Sequence, residues 1–275
     1  MINTNVITAL VFYNFNIETM KYLKDFLDLT STGLLYYFFL AGLYYWICYI
    51  MFRKILYNAK IQQKEIRKRD IIREIFHSVI ASLMMTFLIV LVTHTFLNQY
   101  TRLYRNIDEY SVYWLIASIF VGLFIHDTYF YWMHRFLHHK KIFKYIHLVH
   151  HKSTNPSPFA AYSFHIAEAA AEGLIVPILL FIIPLHSISI YIFIVSALII
   201  NIYGHLGYEI APKWLRNSFL FNIINTSVYH NMHHNKFKGN YGLYFRFWDR
   251  VMKTENPDYV KTYDRIQEKR FGKPG

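Results

Sequence analysis

Residues 126–151 read HDTYFYWMHRFLHHKKIFKYIHLVHH, and residues 230–234 read HNMHH. On a helix, side chains three and four apart share a face. That spacing puts His134 beside His138, His147 beside His150 and His151, and His230 beside His233 and His234. Each cluster is a ready-made claw of imidazoles, and imidazole suits zinc, copper, iron and nickel. A lone HxxxH is a weak signal. Two HxxHH clusters in one chain are a strong one, because so many protonatable rings gathered without a metal would suffer repulsion or desolvation. A closed structural zinc site takes four ligands; three clusters brought to one place offer enough to enclose two metals. No ExxH pair lies near the clusters, which separates this pattern from the carboxylate-rich di-iron bundles. A nitrogen-rich set with positions left for dioxygen is the reading adopted, although ligand type alone leaves zinc and copper open.

Whether the clusters meet depends on the path of the chain between them. The sequence is 55% hydrophobic and only 17% charged, against about 25% charged in a soluble domain. Its mean hydropathy is +0.20. The expected fold class is therefore an all-α integral membrane protein. Residues 33–52, 75–97 and 112–133 are apolar runs of spanning length. Residues 173–203 form a longer one, interrupted by Pro177 and Pro184, which reads as a helical hairpin turning near residues 184–187. That gives about four transmembrane helices. The segment before Thr30 reads as interfacial, and its apolar stretch from Val6 to Phe15 lacks the basic leader and cleavage site of a signal peptide.

Loop charge orients the spans. Arg53, Lys54, Lys60, Lys64, Arg67, Lys68, Arg69 and Arg73 crowd the first loop, whereas residues 98–110 hold only Arg102 and Arg105, offset by Asp108 and Glu109. The first loop is thus expected in the cytosol. Counting spans then places residues 134–172 and 204–275 there too, so the histidine clusters share one side of the membrane. The net charge of +12 fits loops facing anionic lipid. The basic residues flank apolar spans and match no nucleic-acid module, which argues against nucleic-acid binding. The single cysteine, Cys48, excludes an intrachain disulfide and any cysteine-based metal site.

The run from His126 to His151, then NIYGHLGYE at 201–209, then HNMHHNKFKGNYGLYFRFWDR at 230–250 together resemble the fatty acid hydroxylase / sterol desaturase superfamily. The boxes HxxxH, HxxHH and HxxHH occur in that family's order and approximate spacing. The resemblance covers residues from about 112 to 260; the first 110 share only hydrophobicity. It implies a cytosolic helical cap on four spanning helices, holding two iron ions. It implies as metal ligands His134, His138, His147, His150, His151, His230, His233 and His234, and it adds His205 from the end of the hairpin. Where related hydroxylases carry HxxxH in that region, Asn201 stands in place of the first histidine, so a direct or water-mediated contact of Asn201 with metal is an open expectation. His139 falls outside the boxes and is expected at the surface.

Metal-bound histidines donate their second N–H to a carboxylate or carbonyl. Asp127 lies two helical turns before His134 on the same face and is expected either to orient a ligand ring or to pair with Arg135 or a nearby lysine at the helix end; Asp249 is the corresponding candidate for the third cluster. His165 and Glu168, three apart, match a similar His and Glu in the family it resembles, which implies a place at a substrate mouth or behind the metal ligands; a structural role is the equal alternative. His77, His94 and His186, near span ends, read as interfacial or packing residues.

The division expected is a membrane region over 1–110, a catalytic domain over 111–260 and a tail over 261–275. Unactivated lipid C–H bonds yield to no side-chain acid or base; a redox metal with dioxygen supplies that chemistry. The function expected is hydroxylation or desaturation of a lipid held in the bilayer. No nucleotide fingerprint or haem domain is present, so electrons must come from an external b-type cytochrome, ferredoxin or reductase. The setting would be the endoplasmic reticulum of a eukaryote or the inner membrane of a bacterium. The competing readings are a metal transporter, which needs histidines along a path through the bilayer, and a zinc-binding membrane protein without redox activity.

Overall fold

The computed structural model describes residues 4–272, with side chains from residue 19. Four helices are long and apolar enough to cross a membrane: residues Thr19–Met51, Lys68–Thr93, Val112–Leu137 and Ser187–Gly204. The first is the end of α1 (Thr4–Tyr45), prolonged by one wider helical turn at Trp46–Met51. The expected interfacial segment lies partly outside the described side chains, as does all of Val6 to Phe15; from residue 19 its remainder belongs to the same rod as the first span.

α2 (Lys68–Thr93) starts where Arg67 and Arg73 both bind Asp70, at 2.6 Å each. An acidic side chain in a first turn complements the helix dipole. Ser111 caps α3 (Val112–Leu137) by accepting from the Trp114 amide. A short α4 (Leu148–His151) follows. The expected hairpin is present, but its descending arm is two short helices, α5 (Ile166–Gly173) and α6 (Ile175–Ile182). Pro177 has no N–H to give the Gly173 carbonyl, and its ring opposes that carbonyl, so the helix breaks there. Gly173 itself seats α5 on α2: a Cβ there would stand 3.1 Å from the Met85 backbone. The chain turns at residues 183–186 and returns as α7 (Ser187–Gly204), capped by His186.

The turn is fastened at the end of the bundle away from the histidines. β2 (Leu185–His186) pairs in parallel with β1 (Leu103–Tyr104), and the Trp114 indole donates to the Pro184 carbonyl at 3.0 Å. The other end carries the cap, with α8 (Ser227–Lys236), α9 (Phe247–Val251) and α10 (Tyr259–Phe271).

Two cores result, held by different physics. In the cap, Phe221, Val228, Tyr229, Tyr259, Tyr263 and Ile266 are buried together, and removal of apolar area from water favours them by roughly 25 cal/mol per Å². Between the spans, Ile175, Leu179, Leu180, Leu185 and Phe193 cluster. Lipid is as apolar as leucine, so close packing rather than dehydration holds that layer.

Candidate metal centre

The nine histidines expected as ligands converge at the cap end of the bundle in two groups. His134, His138, His147, His151 and His233 form the first; His150, His205, His230 and His234 form the second. In each group one nitrogen of every ring lies within 4.8 Å of all the others. The second HxxHH box splits between the groups, because His150 and His151 point apart on one turn of α4; their ring planes stand at 82°. The third box splits likewise, His233 to the first group and His230 with His234 to the second.

The nitrogens that face inward are Nε2. In the first group His134 and His147 approach to 3.0 Å, His138 and His151 to 3.1 Å, and His138 and His233 to 3.2 Å. In the second, His205 stands 3.3 Å from His150, 3.0 Å from His230 and 3.1 Å from His234. Imidazole nitrogens sit about 2.0–2.1 Å from a bound zinc, so two at right angles around one ion of that size would be about 3 Å apart. The observed spacing fits that geometry.

The opposite nitrogens decide the tautomer. Nδ1 of His134 donates to the Tyr241 carbonyl at 2.9 Å, that of His233 to the Gly239 carbonyl at 2.7 Å, and that of His205 to the Asn201 carbonyl at 2.8 Å. His147 Nδ1 donates to Glu168 Oε1 at 2.7 Å. Carbonyls accept only, so at least His134, His205 and His233 hold their proton on Nδ1 and offer an Nε2 lone pair to the centre. Lone pairs facing one another at 3 Å repel unless a cation lies between them. Burial first, then neighbouring imidazoles, hold His138, His147, His150, His151, His230 and His234 well below the usual histidine range. Burial lowers His205 and His233 to about 4. These rings are neutral at pH 7, the state a metal requires. The donor set therefore fits two metal ions.

The supporting residues differ from expectation. Asp127 touches no imidazole. Its Oδ1 accepts the backbone amides of Leu243, Tyr244 and Phe245 at 3.2, 2.7 and 3.1 Å. Asp249 binds the amides of Tyr241 and Gly242. The two carboxylates thus brace the loop whose Tyr241 carbonyl receives His134, and they position that ring at one remove. Gly239 has φ +77°, beside left-handed Phe237 and Asn240. A side chain at Gly239 would strike the Thr254 carbonyl, so glycine is what lets this tight turn deliver its carbonyl to His233. The Asn201 side chain points elsewhere as well, donating to the Ala161 carbonyl at 2.8 Å; its contribution to His205 is its backbone oxygen.

Glu168 stands behind His147, one of the places expected for it, whereas His165 caps α5, a structural role. His139 is exposed. His94 pairs with Asp25, and His186 binds the Arg105 carbonyl besides capping α7. Sequence reasoning missed Glu74 and Gln62. Buried Glu74 accepts from Ser153 and Ser157, and Gln62 donates to the Thr154 carbonyl and to Asn231, fixing the segment after the second box. Glu74 had a signal, an acidic residue directly before the apolar run 75–97. Among the described residues no histidine group spreads along a path through the spans, as a transporter would need; both groups sit at one end.

Comparison with known proteins places the chain in a family. Residues 119–254, which hold all nine histidines, match the fatty acid hydroxylase family model. The chain is 34% identical over 220 residues to lathosterol oxidase of Homo sapiens, covering 78% of this chain and 69% of that protein. It is 31% identical over 220 residues to lathosterol oxidase of Rattus norvegicus, with the same coverage of 78% and 69%. A Delta(7)-sterol 5(6)-desaturase of Gibberella zeae is 35% identical over 151 residues, 54% of this chain and 45% of that one. No solved structure matches.

Proposed function

We propose, from the premise that the chain belongs to the fatty acid hydroxylase / sterol desaturase superfamily, that it is a di-iron oxygenase which desaturates or hydroxylates a sterol or a related lipid. It is an oxidoreductase of lipid metabolism with a multi-pass membrane fold. The observation that carries the finer reading is the pair of buried histidine groups, nine neutral rings with their Nε2 atoms converging. The sterol class is suggested by the names of the relatives.

His134, His138, His147, His151 and His233 would hold one iron and His150, His205, His230 and His234 the other. Bound there, the pair would supply dioxygen activation and the oxidising power to remove hydrogen from an unactivated C–H bond. The chain's own residues do the rest. The carbonyls of Asn201, Gly239 and Tyr241 and the carboxylate of Glu168 hold the rings in register. Burial of both groups keeps water from the reacting space. Electrons come from an external b-type cytochrome, ferredoxin or reductase, and the histidine end faces the cytosol, where the basic first loop also lies.

The test is metal analysis of the chain purified without oxygen, paired with lipid mass profiling of cells that carry or lack it. Two irons per chain and a lipid changed by one oxygen or two hydrogens are expected. Stoichiometric zinc with no oxygen consumption would overturn the proposal in favour of a non-redox zinc protein.

A further inference from the structure

Glu172 lies one turn beyond Glu168 on α5. The two share the face that carries buried Ala169 and Gly173 inward. The Glu172 carboxylate makes no hydrogen bond or ion pair within the described residues, yet it is only half-buried and not sealed off. Tyr162 packs against the cluster that contains Ala169, on this same face of α5.

The surroundings of Glu172 are polar. Tyr129, Tyr162 and Tyr244 all lie within electrostatic range of this carboxylate. The Tyr129 hydroxyl is occupied, donating to the Ala171 carbonyl at 2.6 Å. The Tyr162 hydroxyl has no partner within the described residues and, like Glu172, is not sealed. Tyr244 shares a hydrogen bond of 2.8 Å with His126 Nδ1. His126 is 7% exposed, and its Nε2 is sealed from solvent with no partner.

Above this polar layer comes an apolar one. Phe130 lies between His126 and His134, with ring centroids 6.3 and 4.9 Å away. Phe164 lies between Tyr162 and His150, at 6.3 and 5.0 Å. The order from bundle to metal groups is thus polar, apolar, metal-binding, on both walls.

We propose that Glu172 and Tyr162 anchor a hydroxyl group of the lipid substrate, with the reacting carbon held higher, between Phe130 and Phe164. A hydroxyl needs one acceptor and one donor; the Glu172 carboxyl group supplies the first and the phenol the second. The inference rests on the lipid oxidoreductase reading and adds to it the chemistry of the substrate's polar end.

The test uses the metal-loaded full chain in lipid nanodiscs without oxygen, so that binding is read apart from turnover. The probes are lathosterol and its methyl ether, which keeps the ring system but cannot donate. The unaltered chain is expected to bind the alcohol about tenfold more tightly. Glu172→Ala should erase that preference, Glu172→Gln, which keeps an acceptor, should retain most of it, and Tyr162→Phe, which removes a donor that both probes can accept from, should weaken both without erasing the preference. Retention of the full preference in Glu172→Ala, with the preference present in the unaltered chain, overturns the anchor while leaving lipid oxidation untouched. Equal binding of both probes by the unaltered chain also overturns it. A lipid profile unchanged by the gene is the separate result that overturns the oxygenase reading.

Discussion

The two histidine groups are built to different standards. The five-ring group has three of its rings tied through Nδ1, to the Tyr241 and Gly239 carbonyls and to Glu168, and the Tyr241 loop is itself braced by Asp127 and Asp249. In the four-ring group one ring is tied, His205 to the Asn201 carbonyl, while His150 and His234 have no Nδ1 partner among the described residues; in the five-ring group His151 alone is sealed and unpartnered there. An imidazole held at its far nitrogen keeps its ligand atom in place. The five-ring group should therefore bind metal more tightly, and the four-ring group, with fewer ligands, has more room for an exchangeable molecule.

The strongest way to break this contrast is to remove a ligand from each side. His233→Ala and His150→Ala should both reduce lipid oxidation to background while the protein remains inserted in the membrane. Metal analysis should show the first losing occupancy from the tight group and the second from the loose one. Full activity in either variant would remove the site from consideration.

Acid should separate the groups next. His205 and His233 have folded values of about 4, below the unperturbed value of about 6.5. Proton uptake therefore favours the unfolded or metal-free chain between those limits. Stability and metal retention should be complete above pH 6.5 and fall progressively towards pH 4. Metal content after equilibration at pH 7.5, 5.5 and 4.5 should show two steps, the four-ring group emptying first. A single simultaneous step would mean that the groups do not differ.

A smaller effect sharpens the contrast from the other side. Glu168→Ala leaves His147 Nδ1 without an acceptor and should weaken metal binding about 10- to 100-fold, confined to the five-ring group. His139→Ala, at an exposed ring outside both groups, should change neither metal content nor turnover. Equal losses from the two variants would show that the His147–Glu168 contact carries no special weight.

The inward-facing atoms were legible in the sequence and the outward-facing ones mostly were not. Three- and four-residue spacing is a property of side chains on a helix, so the ligands announced themselves. The division of each HxxHH box between two groups did not, because it depends on how α4 and α8 are rotated against each other. The ring acceptors at positions 201, 239 and 241 are backbone oxygens, which every residue has. Asp127 was visible as an acidic group at the end of a span, but spacing could not reveal that its partners are amides 116 to 118 residues away. In the fold, apolar runs revealed the spans, while the break in the hairpin's descending arm followed from Pro177 and the closeness of Gly173 to α2, a tertiary fact.

The split boxes also order events during synthesis. His134, His138, His147 and His151 all precede the hairpin of α6 and α7, so four of the five rings of one group exist before the ribosome reaches the turn. Of the other group only His150 does; His205, His230 and His234 are translated after it. If each group takes one ion, as proposed, the five-ring position is nearly complete before α7 is made, whereas the four-ring position must wait until α7 is inserted and α8 has folded back on it.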